Sequence, residues 1–176
     1  MELVETNRKG AKHMKLFLVE ALILCAAFTA VVVPSVLKNP VAWAADYPPA
    51  VVLRCRELGL IPKTQEHSLR KLIVTKLGRL IFSAVIFAAL VIGLNGADTF
   101  SEGFGITYGL WAVVAWYDAL VLDCLWFCHD RRVRIPGTED LEAAYHDYGF
   151  HIRMSGLGMV LGLPVALLVG AAAALI

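Results

Sequence analysis

Residues 104–128 read FGITYGLWAVVAWYDALVLDCLWFC, a run with no Lys, Arg or Pro and only two charged groups, Asp118 and Asp123. A hydrocarbon core about 30 Å thick is crossed by roughly 20 apolar residues in helical form, so this stretch reads as a membrane span. The two acids set the problem. An ionised carboxylate at mid-bilayer costs about 2.5–3.5 kcal/mol on insertion scales, so such groups normally face a partner, a cavity or a proton path.

The rest of the chain repeats the apolar pattern at residues 16–37, 76–96 and 152–175. Apolar residues make up 59% of the 176 and charged ones 18%, and mean hydropathy is +0.68, beyond what soluble domains carry. The expected fold is all-α: an integral membrane protein built as a four-transmembrane-helix bundle, a single membrane domain over 1–176 with a short amphipathic surface helix. The formal charge of +1 and the lack of a phosphate-cradling Gly loop argue against nucleic acid or nucleotide as a partner. Arg8, Lys9, Lys12 and Lys15 before the first span, with Ala42-Trp43-Ala44 after it, have the outline of a secretory signal. The apolar run to Pro34 is longer than the usual 7–15 residues, and segment one is therefore taken as a true span.

Lys and Arg set the orientation. Residues 38–79 hold eight of the sixteen, the region around 129–153 holds four, and Ala97–Gly103 holds none. Loops 38–75 and 129–151 are accordingly assigned to the cytoplasm, against the four basic residues of the N-terminal tail. The location expected is multi-pass, in the plasma membrane of a prokaryote. In the first loop Pro49 starts a helix that Gly59 stops, with Val51, Val52, Cys55 and Leu58 on one face. Ser68 is a candidate cap for the next helix. The basic foot Arg70, Lys71, Lys76 and Arg79 suits anionic lipid headgroups as partners.

Span four carries a packing signal. Gly158, Gly162, Ala166, Gly170 and Ala174 recur every four residues and allow close backbone approach, to another span or to a second copy in a homo-oligomer. On span three, at 100° per residue, Asp118 shares a face with Trp111, Leu122 and His129, while Asp123 points about 140° away. Asp118 lies near mid-bilayer and Asp123 about 7–8 Å nearer the cytoplasm. Both are candidate proton, ion or substrate ligands, because desolvation tunes an acid toward neutrality. Glu20, one turn inside span one, joins them as a lesser candidate. Cys124 and Cys128 are too far apart on a helix for a disulfide.

Loop three gathers the remaining chemistry. His129 leads into Arg131, Arg132 and Arg134, whose guanidinium forks suit phosphate or headgroup oxygens. Thr138 looks like an N-cap for a helix through Tyr148. Glu142 with His146, and Asp147 with His151, are acid–imidazole pairs at i,i+4 that orient a ring and raise its basicity. His129, Asp147 and His151 are thus candidate catalytic groups. No zinc, haem or iron–sulfur spacing is met, so no metal ligand is assigned and no cofactor is named. Three classes stand open: a small transporter of protons, cations or a small substrate using Asp118 and Asp123; an interfacial enzyme on a lipid or phosphorylated amphiphile; and a non-catalytic subunit of a membrane complex.

Overall fold

The computed structural model describes residues 2–62 and 69–176, with side chains at 13–62 and 74–176. All regular structure among them is helical. Helix α1 covers Glu2–Lys38, α2 Pro49–Glu57, α3 Leu69–Ala88, α4 Phe100–Tyr117, α5 Glu142–Tyr145 and α6 Tyr148–Ala173. α3 runs on as a π-helical turn over Ala89–Leu94, and α4 as a π-helical stretch over Asp118–Phe127. Four helices are long and apolar enough to cross a membrane: His13–Lys38, Val74–Leu94, Phe100–Phe127 and Tyr148–Ala173. Ser68 and the side chains of Arg70 and Lys71 lie outside the described residues.

The third and fourth helices begin about one turn earlier than hydropathy suggests, because caps rather than apolar content fix where they start. Thr99 Oγ1 accepts from Glu102 N at 3.3 Å, and Asp147 Oδ1 accepts from Phe150 N at 2.9 Å. A capping oxygen of this kind is worth about 1 kcal/mol. α2 ends as expected at Gly59, where φ is +70°. The amide of Leu60 donates to Cys55 O and that of Gly59 to Arg56 O, the Schellman arrangement that only a residue tolerant of positive φ closes cheaply.

The residues form two compact units. The first comprises Met1–Cys25, Ser68–Val114 and Gly158–Ile176. Its core joins all four long helices through Ala21, Phe87, Val91, Leu110, Val165, Val169 and Ala173. The small residues of α6 do make a groove here, and α4 fills it. A Cβ on Gly162 would lie 2.4 Å from Trp111 Cδ1, and one on Gly170 would lie 2.9 Å from Phe100 O. Gly103 of α4 answers in kind, since its Cβ would meet that of Ala173 at 2.8 Å. Trp111 Nε1 donates to Gly158 O at 3.0 Å. The register departs from the sequence stripe at both ends: space is open at Gly158, and Ala173 rather than Ala174 is buried.

The second unit comprises Ala26–His67 and Ala115–Leu157. Its core is built from Val36, Tyr47, Val51, Cys55, Phe127, Cys128, Val133, Ile135 and Tyr145. α2 is amphipathic as expected, and its apolar face turns into protein: Val51 and Cys55 are fully buried, while Leu53 and Leu58 are exposed. Arg54 of α2 forks onto both carboxylate oxygens of Asp140 at 2.9 and 3.0 Å. Tyr47 Oη donates to Val133 O at 2.8 Å, and the rings of Tyr47, Phe127 and Tyr145 pack edgewise or tilted. Each aromatic contact adds about 0.5–1.5 kcal/mol beyond its buried area.

Candidate functional site

The expected helix from Glu139 through Tyr148 is broken. A 3-10 turn at Glu139–Leu141 leads into α5, and α6 starts afresh at Tyr148. Thr138 makes no side-chain cap there. Its buried hydroxyl donates to Ile135 O at 2.6 Å and sits 2.7 Å from Tyr145 Oη, which also accepts from Ile135 N at 3.0 Å. Asp147 and His151 do not form the i,i+4 pair either. Asp147 is spent on capping α6 through Phe150 N, and the imidazole turns to another helix.

That other partner is Asp123. His151 Nδ1 lies 3.2 Å from Asp123 Oδ2. The imidazole is 3% exposed and sits edgewise against Phe127 and Phe150, with ring centroids 5.3 and 5.2 Å away. Its second nitrogen, Nε2, is buried and has no hydrogen-bond partner among the described residues. The same pair of helices is laced nearby by Ser155 Oγ, which donates to Ala115 O at 2.7 Å. Tyr117 Oη meets Thr29 Oγ1 of α1 at 2.8 Å.

The π-helical stretch corrects the angular reading of span three. In an i→i+5 ladder, of which Cys128 N to Asp123 O at 2.9 Å is one rung, residues five apart stack one above the other. Asp118 and Asp123 therefore come toward one face instead of diverging. Asp118 is half-buried, lies within electrostatic reach of Asp123, His151 and Asp46, and makes no hydrogen bond or ion pair among the described residues. Two acids and one imidazole thus gather inside helices of membrane-spanning length.

The other candidates lie elsewhere. Glu20 belongs to the first unit, where it is 4% exposed and both carboxylate oxygens accept from Asn95 Nδ2, at 2.8 and 2.9 Å. It is a satisfied buried acid, and Asn95, its partner, carries no spacing signal in the sequence. His129 stays apart from His151: its ring packs against His146 and Tyr148, with Tyr148 Oη 3.3 Å from Nε2. His146 keeps its i,i+4 neighbour loosely, with Nδ1 3.9 Å from a Glu142 carboxylate oxygen and 2.9 Å from the Glu142 carbonyl.

Two of the three loop arginines are committed internally. Arg132 grips Asp130 with Nε at 3.0 Å and Nη2 at 2.7 Å. Those bonds, with the Arg132 amide and Trp126 Nε1, push the Asp130 carboxyl down to about 2. Arg134 forks onto Glu142 at 2.9 and 3.0 Å, stacks over Tyr145, and donates to the carbonyls of Phe127 and Cys128 at 3.1 and 2.8 Å. It closes the open carbonyl end of the π-helical stretch, which a helix C-terminus otherwise leaves to solvent. Of these three, Arg131 keeps an exposed side chain, with no carboxylate partner among the described residues.

Cys55 and Cys128 are buried thiols in the core of the second unit, and burial pushes the Cys55 thiol up. That keeps it protonated, as a small apolar group rather than a nucleophile.

Comparison of the chain with protein-family models, with curated proteins and with solved structures finds no match.

Proposed function

We propose that the chain is a multi-pass membrane protein, one membrane domain of four spans, that moves protons or small cations by way of Asp118 and Asp123. The observation that carries this reading is the His151–Asp123 pair at 3.2 Å, almost wholly buried on the histidine side, with Asp118 stacked beside it by the π-helical stretch. An ionisable pair inside an apolar span is costly, and such groups normally face a partner, a cavity or an ion or proton route. The outward faces of the same helices favour lipid as their surroundings: Leu22, Val31, Phe82, Val85, Leu125 and Leu161 are all exposed.

The enzyme reading draws less support. It needs His129 and His151 to converge, and His129 packs with His146 and Tyr148 instead. It also needs the loop arginines for a phosphate, while Arg132 and Arg134 already hold carboxylates. A purely structural subunit would pair its buried acids, as Glu20 is paired; Asp118, half-buried and without a hydrogen bond or ion pair among the described residues, favours transport.

The test is flux in reconstituted vesicles. Protein in sealed liposomes is given a pH, Na⁺ or K⁺ gradient, and the internal ion is followed with a selective dye. Asp118→Asn keeps shape and most hydrogen bonding but cannot ionise. Gradient-driven flux that falls at least tenfold in Asp118→Asn, at unchanged thermal stability, is the expected result. Full flux in that variant, or no flux of any ion in the wild type, overturns the reading.

A further inference from the structure

We propose that the species taken up at this site is the proton, and that His151 Nε2 is the atom that takes it. The inference rests on the transport reading and narrows it to one substrate and one acceptor atom.

Nδ1 lies at ion-pair distance, 3.2 Å, from Asp123 Oδ2; a carboxylate oxygen repels a bare lone pair, so we assign the hydrogen of the neutral ring to Nδ1. Which nitrogen of a neutral imidazole is protonated follows from the bond the other makes. In neutral His151, then, Nε2 bears the lone pair. That atom is buried and has no hydrogen-bond partner among the described residues, between Phe127 and Phe150 rings that supply no donor. An orphaned buried polar atom costs about 1–3 kcal/mol. A ligand bound at Nε2 would remove that cost.

The chemistry of the lone pair selects the ligand. Na⁺, K⁺, Mg²⁺ and Ca²⁺ are hard cations that take oxygen donors, and an imidazole nitrogen suits them poorly. A transition metal accepts imidazole but requires a set of ligands, and no group of three or more His, Cys, Asp or Glu among the described residues is arranged to hold one. A proton needs the lone pair alone. Uptake from hydronium forms the Nε2–H bond and releases water; the ring becomes an imidazolium whose charge Asp123 neutralises. Nε2 has then changed from acceptor to donor.

The ionisable groups around this ring and its neighbour Asp118 come from three elements. The π-helical stretch supplies Asp123 and Asp118. The turn Pro40–Asp46 supplies Asp46, within electrostatic reach of Asp118. α6 itself supplies Asp147, whose Oδ1 is engaged by Phe150 N. Asp118, within electrostatic reach of His151 and without a hydrogen bond or ion pair among the described residues, is the next proton acceptor. When the proton leaves Nε2 for an Asp118 carboxylate oxygen, the ring returns to its neutral Nδ1–H form and the acid becomes neutral. No electron moves and no co-reactant is needed. Asp123 is a positioning residue here, fixing the tautomer of the ring and supplying the charge opposite the imidazolium.

The experiment is proton flux into dye-loaded vesicles driven by a K⁺ diffusion potential, measured across pH for wild type, His151→Gln and Asp123→Asn. His151→Gln retains a polar side chain that cannot titrate, and flux falls at least tenfold. Asp123→Asn still accepts from Nδ1–H but no longer stabilises the imidazolium, so the midpoint of the pH profile moves to lower pH. Flux in His151→Gln with the wild-type midpoint overturns the proton assignment. So does Na⁺ or K⁺ movement without proton movement, and if Asp118→Asn abolishes that movement the transport reading survives alone. Loss of all wild-type flux overturns both. Should His151→Gln fail to fold, ¹⁵N spectra of wild-type protein labelled at histidine decide: a neutral His151 protonated on Nδ1 is expected, and one protonated on Nε2 sinks the proposal.

Discussion

His151 and Asp130 are two answers to the same question, how a charged or chargeable side chain is kept near an apolar span. His151 is buried and paired once. Asp130 sits just past the end of its helix and is paired four ways: Arg132 through its guanidinium nitrogens and its amide, and Trp126 through Nε1 at 2.9 Å. Every one of those bonds favours the ionised carboxyl, which brings it to about 2, below the usual value of roughly 3.9. A group whose folded value lies below its unfolded one contributes stability above the unfolded value and loses it as pH falls through the folded one. The window for Asp130 therefore runs from about pH 4 down to about pH 2. Thermal unfolding in detergent should show wild type more stable than Asp130→Asn at neutral pH, with the difference shrinking across that window. A difference that stays constant from pH 7 to pH 2 would mean the ionised form is not specially favoured.

At the scale of the element, two glycines of α6 make opposite demands. Gly162 lies under the Trp111 indole, where a Cβ would sit 2.4 Å from Cδ1 and 2.6 Å from Nε1. Gly158, one turn earlier, has nothing within 4 Å of that position. Gly162→Leu must push the indole out of the groove, and overpacking of this kind costs about 1–3 kcal/mol. Gly158→Ala keeps the carbonyl that accepts from Trp111 Nε1 and removes backbone freedom from the unfolded chain, a gain of about 0.5–1 kcal/mol in a helix interior. Melting temperatures of the two variants should move in opposite directions from wild type. Equal behaviour would mean that the stripe packs nothing. The recurrence of small residues every four positions was enough to locate this groove from sequence. What the pattern leaves out is which residue fills it, because Trp111 reads equally well as lipid-facing or buried until its neighbour is known.

For the whole molecule, the four long helices and the acids within them were legible because hydropathy over about 20 residues is set by the bilayer itself. The pairings were not. Asp123 lies four residues before the end of the π-helical stretch and His151 three after the start of α6, and the sequence reading paired His151 with Asp147 instead. A reading at 100° per residue turned Asp123 away from Asp118, and no residue type announces the π-helical stretch that turns it back. Sidedness is likewise a charge argument, and it yields the last prediction. The connection at 95–99 contains Asp98 and no Lys or Arg, whereas the loops on either side hold most of the basic residues; basic loops remain in the cytoplasm. Asp98 and Asp140 are both exposed, so Asp98→Cys and Asp140→Cys each present a thiol that a membrane-impermeant maleimide can reach from one side. Buried Cys55 and Cys128 add little background. In intact cells the expected outcome is labelling of Asp98→Cys alone, with Asp140→Cys labelled only after the membrane is opened. The reverse pattern would invert the orientation and place the His151 end of the proposed proton route on the outside.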